Sequence, residues 1–253
     1  MAFHQFKPEK KDIIFGIHPI MEAIEAGKEI ERILIQKELS NIQLKELLGL
    51  AATRKIPYQK VPTEKLDGIT RKNHQGAICF LSAITYSSLD HILQEAFEKG
   101  KAPIILVLDR ITDVRNFGAI SRTAECCGVD AIVVPSRGSA QINADAVKTS
   151  AGALHHIPVC REENLKSTLN YLKECGLQLV ACTEKGTQTI SRFDFTTPVA
   201  LLMGSEEDGI SEEYLKLSDA ILKIPTTGKV NSLNVSVAAG MALYEIIRQR
   251  NSI

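Results

Sequence analysis

The stretch "APIILVLDR" at 102–110 holds seven consecutive apolar residues, Ala102 to Leu108, before a charged pair. An exposed strand alternates apolar and polar side chains, whereas an unbroken run suits a strand covered on both faces, as in a parallel sheet layered with helices. Similar short runs follow at "DAIVVP", "LQLVACT", "PVALLMG" and "AILKIP", with helical stretches between them. The pattern predicts a doubly wound α/β domain over 102–253. The first of these runs is not followed by G-x-G-x-x-G, and the chain has no G-x-x-x-x-G-K-[ST], so neither a dinucleotide fingerprint nor a P-loop is indicated.

The residues before this domain read differently. "HPIMEAIEAG" predicts a helix with Pro19 in its first turn and Gly27 as its stop, "ERILIQ" a strand, and "SNIQLKELLGLAATRK" a helix capped by Ser40. "GAICFLSA" predicts a further strand. Together these indicate a small α/β layer domain over 13–84, preceded by an N-terminal tail at 1–12. A helical connector over 85–101, carrying "SLDHILQEAFEKG", is expected to lead into the second domain.

Net charge is zero, but it is unevenly spread. Residues 51–75 carry Arg54, Lys55, Lys60, Lys65, Arg71 and Lys72 against only Glu64 and Asp67, a modest basic patch of the kind that meets nucleic acid or forms a solvated face. No apolar run nears the roughly 20 residues of a membrane span, and "MAFHQFKPEKKD" lacks the apolar core of a secretory signal, so a cytoplasmic protein without a membrane partner is expected. The six cysteines form no C-x-x-C pair and are expected to be reduced and buried. His155 and His156 beside Glu162 and Glu163 would suggest a metal site, but adjacent residues of a strand point to opposite faces, and no metal is expected.

Polar residues gather at the C-terminal ends of the strands, where open α/β sheets bind ligands. They lie in "LDRITDVRNFGAISRTAECCG" (108–128), "LLMGSEEDGIS" (201–211) and "LKIPTTGKVNSLNVSVA" (222–238). In the last of these, Asn231, Ser232 and Asn234 precede the final helix. One of them suffices for an N-cap; the excess leaves room for a ligand.

In these three segments the chain resembles the SpoU (TrmH-like) branch of the knotted SPOUT RNA methyltransferases. "RNFGAISRTAE", with Asn116 and Arg122, is similar to that family's first motif, "MGSEEDGI" to its second and "IPTTGKVNSLNVSVAAG" to its third. "GIHPIMEAI" (16–24) and "HQGAI" (74–78) resemble the small ribosomal-L30-like substrate-binding domain found in the branch that methylates guanosine in bacterial 23S rRNA. The resemblance spans about 13–250.

The resemblance implies an α/β fold of an N-terminal L30-like domain and a C-terminal parallel-sheet SPOUT domain closed by a C-terminal trefoil knot. It implies S-adenosyl-L-methionine as cofactor, held by Gly204, Ile224 and Leu233, with Gly209 clearing space and Ser232 and Asn234 fastening the loop. Arg122 corresponds to the family's catalytic arginine. It is suited to stabilising a ribose oxyanion and a nearby phosphate, and poorly suited to acting as a base, because a guanidinium stays protonated. Asn116 would orient Arg122 or the ribose. Glu206 would either take part in the chemistry or accept backbone amides in its turn, and Glu207 stands where the family more often has glycine. RNA contacts are expected from Arg71, Lys72, His74 and Gln75, and from Lys148 and Ser150 in "VKTSAGALHHIPV". The implied activity is 2′-O-ribose methylation of a 23S rRNA guanosine in the peptidyl-transferase P loop, by a homodimer formed through the knotted domain. Alternatives are a tRNA-guanosine enzyme and a non-enzymatic RNA-binding protein on the same scaffold; DNA is not an expected partner.

Overall fold

The residues from Ile104 to Asp109 are all buried, and they form the third of seven strands in a parallel sheet. The protein, seen in a computed structural model, is described over residues 13–229 and 232–251. It divides into two compact units, Met1–Thr85 and Tyr86–Ile253.

The first unit contains β1 (Ile13–Phe15), α1 (Ile17–Glu25), β2 (Ile30–Gln36), α2 (Ile42–Thr53), β3 (Tyr58–Val61), α3 (Thr63–Ile69) and β4 (Ala77–Leu81). Its sheet has the order β1-β4-β2-β3, with β2 and β3 parallel and the other pairs antiparallel. Strand alternation sorts the core. Ile33, Ile35 and Cys79 face α1 and α2, and Leu34, Ile78 and Phe80 face Leu66 of α3. The cap of α2 lies one residue beyond the expected Ser40, because the Asn41 side chain accepts from the Leu44 amide at 2.7 Å. β1, β3 and α3 were not legible as elements: they are short, and three of the four residues of β3 are exposed.

The second unit runs α4 (Leu89–Glu98), β5 (Ile104–Asp109), α5 (Val114–Cys126), β6 (Ala131–Pro135), α6 (Ala144–Thr149), β7 (Val159–Glu162), α7 (Leu165–Glu174), β8 (Gln178–Cys182), β9 (Gln188–Thr189), β10 (Val199–Gly204), α8 (Glu212–Leu217), β11 (Ala220–Lys223) and α9 (Val235–Arg250). All neighbours in the order β7-β6-β5-β10-β8-β11-β9 pair in parallel. The segment expected as a connector, 85–101, falls within this unit from Tyr86 onward. Leu89 and Leu93 of α4 are buried in one cluster with Ile105, Val107 and Val133. An amphipathic helix buries its apolar stripe wherever an apolar sheet face is offered.

After β11 the chain returns to pack α9 on α5. Val235, Ala239, Ala242, Leu243 and Ile246 are its buried face, and Gly240 stands beside Thr123, where an added Cβ would lie 3.6 Å from Cγ2. At its far end, Arg250 donates to the backbone carbonyls of Ala102, Phe195 and Thr197. On the opposite face of α9, Val237, Met241 and Tyr244 are exposed.

Two smaller expectations change. Cys79, Cys160 and Cys182 are buried, and burial pushes their thiols up to about 12. Cys126, however, is exposed, and Cys127 and Cys175 are half-buried. His155 lies in a 3-10 turn, Ala153–His155, so the opposite-faces argument does not apply to the two histidines. Among the described residues no group of three or more His, Cys, Asp or Glu is placed to hold a metal ion, and no helix is long and apolar enough to cross a membrane.

Candidate cofactor and active site

The sheet changes direction at β5: β6 and β7 lie on one side of it and β10 on the other, with Asp109 and Gly204 opposite each other at the C-terminal ends. That is where connections diverge and a crevice opens. The loop leaving β10 turns back at once. The Gly209 amide donates to the Ser205 carbonyl at 3.0 Å, and the Asp208 amide to the Ser205 hydroxyl at 3.0 Å. A Cβ on Gly204 would come within 2.2 Å of the Gly209 carbonyl carbon and the Ile210 nitrogen. Gly204, expected to hold the cofactor, is therefore required first by the chain's own turn, while Gly209, at φ +70°, supplies the left-handed residue that the turn needs.

This loop, the ends of β8 and β11, and the start of α9 enclose a cavity of about 940 Å³. The volume lies within the roughly 300–1,000 Å³ of small-molecule sites. Gly204, Gly209, Ile224, Ser232, Leu233 and Asn234 all line it. Leu233 is 38% exposed, and with half-buried Ile224 it offers an apolar wall. Thr183, Glu184 and Lys185 after β8 and Thr226 after β11 also border this space and were not anticipated. Thr183, Glu184 and Lys185 were signalled only by their position just beyond an apolar strand, and Thr226 by its place in the third motif. Asn231 lies outside the described residues.

Beside the cavity, the three motifs meet. The Asn234 amide donates to Asn116 Oδ1 at 3.0 Å and to Glu206 Oε1 at 2.6 Å, and the Val235 amide reaches the same Glu206 oxygen at 3.4 Å. Asn234 also caps α9, its Oδ1 accepting from the Ser236 and Val237 amides at 3.0 and 3.4 Å. The cap explanation of the polar residues before α9 thus holds at Asn234, whose amide also ties the three motifs together. Arg122 is not brought into this group. It is exposed on α5, without a hydrogen bond or ion pair to any described residue. At 100° and 1.5 Å per residue it sits about 120° around the helix and about 9 Å along from Asn116.

A second group was missed. Asp109, 2% exposed, accepts from the Ser211 amide and hydroxyl at 2.8 and 2.7 Å. Arg110 donates to Asp109 Oδ1 at 3.1 Å, to Asp208 Oδ2 at 2.9 Å and to the Gly209 carbonyl at 3.2 Å. Its hydrogen bond to Asp109 raises the guanidinium further above its usual range, and the charges of Asp109 and Asp208 add to this. Arg110 and the 205–208 loop border a smaller recess of about 320 Å³, which also reaches Asn116.

Of the residues expected to touch RNA, Arg71, Lys72, Gln75 and Lys148 are exposed. Two are not available for that role. His74 is buried, its Nε2 within 3.0 Å of Asp67 Oδ1 and its Nδ1 accepting from the Gly76 amide at 3.0 Å. Its two ring nitrogens are spent on α3 and on the turn at Gly76. Ser150 is fully buried, its hydroxyl donating to the Val147 carbonyl at 2.8 Å. It closes α6.

Residues 103–244 match the model of the SpoU rRNA Methylase family, and 13–87 match that of RNA 2′-O ribose methyltransferase substrate binding. The chain belongs to the SpoU methyltransferase family. It is 37% identical over 241 residues to a Staphylococcus saprophyticus protein named to the TrmH family of tRNA/rRNA methyltransferases, covering 95% of this chain and 97% of that one. A Bacillus subtilis relative named to the same family is 34% identical over 245 residues, 97% of this chain and 98% of its own. Among solved structures, the SpoU methyltransferase AviRb of Streptomyces viridochromogenes, in complex with the cofactor AdoMet, superposes with a TM-score of 0.61 at 28% identity, over 95% of this chain and 91% of that one. An AdoMet-bound rRNA methyltransferase of Sinorhizobium meliloti gives 0.60 at 26%, over 94% and 87%. This is an S-adenosylmethionine-dependent family, and the chain is one of its methyltransferases.

Proposed function

We propose that this SpoU methyltransferase transfers a methyl group to the ribose 2′-hydroxyl of a guanosine in 23S rRNA, in the peptidyl-transferase P loop, in the cytoplasm. The observation that carries the reading is the junction of Asn116, Glu206 and Asn234 beside the 940 Å³ cavity, in a chain whose first unit matches a substrate-binding family. The cavity suits an adenosine-bearing cofactor: it combines the Leu233 and Ile224 apolar wall with loop backbone that a glycine lets fold closely. S-adenosylmethionine bound there would supply an electrophilic methyl group.

The chain's own residues must then hold the loops and favour loss of the hydroxyl proton. Glu206, hydrogen-bonded to Asn234 and the Val235 amide, anchors the second motif to the third, which favours the loop-holding role for it over direct chemistry. Arg122, without a hydrogen bond or ion pair to a described residue, is suited to an oxyanion or a phosphate, with water or substrate phosphate taking the proton.

Arg122 lies outside the cluster of its own chain, and α9 leaves Val237, Met241 and Tyr244 exposed one helix away. We read both facts as supporting a homodimer that buries this α9 face and completes each site at the boundary. The return of the chain from β11 to α5, past the C-terminal end of β10, supports a trefoil knot in this segment. The first unit's α/β layer agrees with an L30-like domain, with Arg71 and Lys72 meeting RNA phosphates.

The relatives' names leave tRNA as the competing substrate. Methylation assays with naked 23S rRNA and with tRNA decide between them, and mapping 2′-O-methyl marks in rRNA from a deletion strain locates the nucleotide. Loss of a tRNA mark with all rRNA marks intact would overturn the rRNA reading. Loss of neither an rRNA nor a tRNA mark would overturn both substrate readings.

A further inference from the structure

Arg110 occupies a backbone conformation that an L-residue with a side chain rarely adopts, φ +59°, at the last step out of β5. The left-handed turn directs its side chain across the sheet edge to the loop that follows β10. There the guanidinium spans two partners that no single short cation could serve together. One edge faces Asp109, with Nε and Nη2 at 3.1 and 3.3 Å from its two oxygens. The outer edge reaches Asp208 through Nη1 and the Gly209 carbonyl through Nη2.

The same loop is held from its other side by Glu206 on Asn234, and its far end is held by Ser211 on buried Asp109. Ser205, Glu206, Glu207 and Asp208 form the wall shared by the large cavity and the small recess. A displacement of this wall would alter both spaces at once.

We propose that Arg110 is a positioning residue that latches the loop Ser205–Gly209 to the end of β5, and that this latch sets both the affinity of the large cavity and the placement of Glu206. It acts through the loop and touches no reacting atom. The inference rests on the reading of the large cavity as the S-adenosylmethionine site. An arginine is required because the two acceptor sets lie in different directions, which a planar guanidinium satisfies and a lysine ammonium satisfies only in part.

The test uses the full-length chain carrying Arg110→Gly, Arg110→Lys, Asp208→Ala, and Arg110→Gly with Asp208→Ala. Glycine preserves the positive φ while removing the latch, so the turn itself is not challenged. Titration calorimetry with S-adenosylmethionine should show about tenfold weaker binding for Arg110→Gly, partial recovery with lysine, a smaller loss for Asp208→Ala, and a double variant little worse than Arg110→Gly alone, since residues acting through one contact are not additive. Fully additive effects, or unchanged affinity, would overturn the latch.

RNA binding against salt checks the competing role. The slope should stay at the wild-type value; a slope reduced by about 0.7–0.9 with cofactor affinity intact would make Arg110 a phosphate contact instead. Leu233→Glu separates the two levels of failure. If it leaves cofactor binding intact, the cavity reading falls and the latch with it. If it abolishes binding while Arg110→Gly does not weaken it, only the latch falls.

Discussion

The amide of Asn234 is shared between Glu206 Oε1, at 2.6 Å, and Asn116 Oδ1, at 3.0 Å, so one side chain joins the first turn of α5 and the loop after β10 to the start of α9. Asn234→Asp keeps an equally good helix cap but replaces the shared donor by a carboxylate beside Glu206. Juxtaposed like charges should open the junction and weaken cofactor binding by about tenfold or more. Adding Glu206→Gln restores a donor and reverses the hydrogen bond, so the double variant should recover most of the affinity in calorimetry. A double variant no better than Asn234→Asp would show that this pairing does not hold the site.

Leu233 lies on the wall of the large cavity and is part-exposed to it. Leu233→Glu sets a carboxylate where an adenine face is expected, and a charge buried by the ligand without a partner costs several kcal/mol. Cofactor binding should fall below detection in calorimetry while circular dichroism and the unfolding midpoint stay near wild type, because the side chain lies outside the packed core. A folded variant with normal affinity would move the cofactor site elsewhere.

How far the sequence could be read depended on whether a feature was local. The strand Ile104–Asp109 was legible because burial on both faces leaves no alternation. Asn116, Glu206 and Asn234 could be singled out by motif, but their meeting is a matter of topology, since 118 positions separate the first from the last. Ser150 and His74 were expected as RNA contacts through the family resemblance; their hydrogen bonds to Val147 and Asp67 turn them inward. Arg110 was passed over for the converse reason. A charged residue after a strand reads as solvated surface, and nothing local announces its positive φ or its reach to Asp208.

In the first unit, Arg71 and Lys72 are exposed, and Lys72 Nζ also lies 5.3 Å from the Phe15 ring centroid. If they meet phosphates, Arg71→Glu with Lys72→Glu should weaken RNA binding and flatten the plot of log affinity against log salt by about 1.4–1.8, since each lost contact removes about 0.7–0.9. Cofactor affinity should not change, because the substitutions fall in the unit that lacks the cavity. An unchanged slope with intact RNA affinity would make this stretch a solvated face.

The last expectation concerns Arg122, which is exposed and free among the described residues while the rest of the motif cluster is hydrogen-bonded. Arg122→Ala should remove nearly all methyl transfer yet leave cofactor affinity within a few fold, because the charge it stabilises develops only during transfer. If the arginine serves the partner's site, a mixture of Arg122→Ala and Leu233→Glu homodimers, unfolded and refolded together, should regain activity that neither has alone. In a mixed dimer one site would combine an intact cavity with an intact arginine, while the other would lack both. Random pairing makes about half the dimers mixed, so recovery should approach about a quarter of the wild-type rate in a methylation assay. No recovery, with mixed dimers demonstrated by differential tagging, would place Arg122 in service of its own chain and require α5 to bring it there by movement on RNA binding. Parallel loss of cofactor affinity in Arg122→Ala would instead assign the residue to the cavity and remove it from the chemistry.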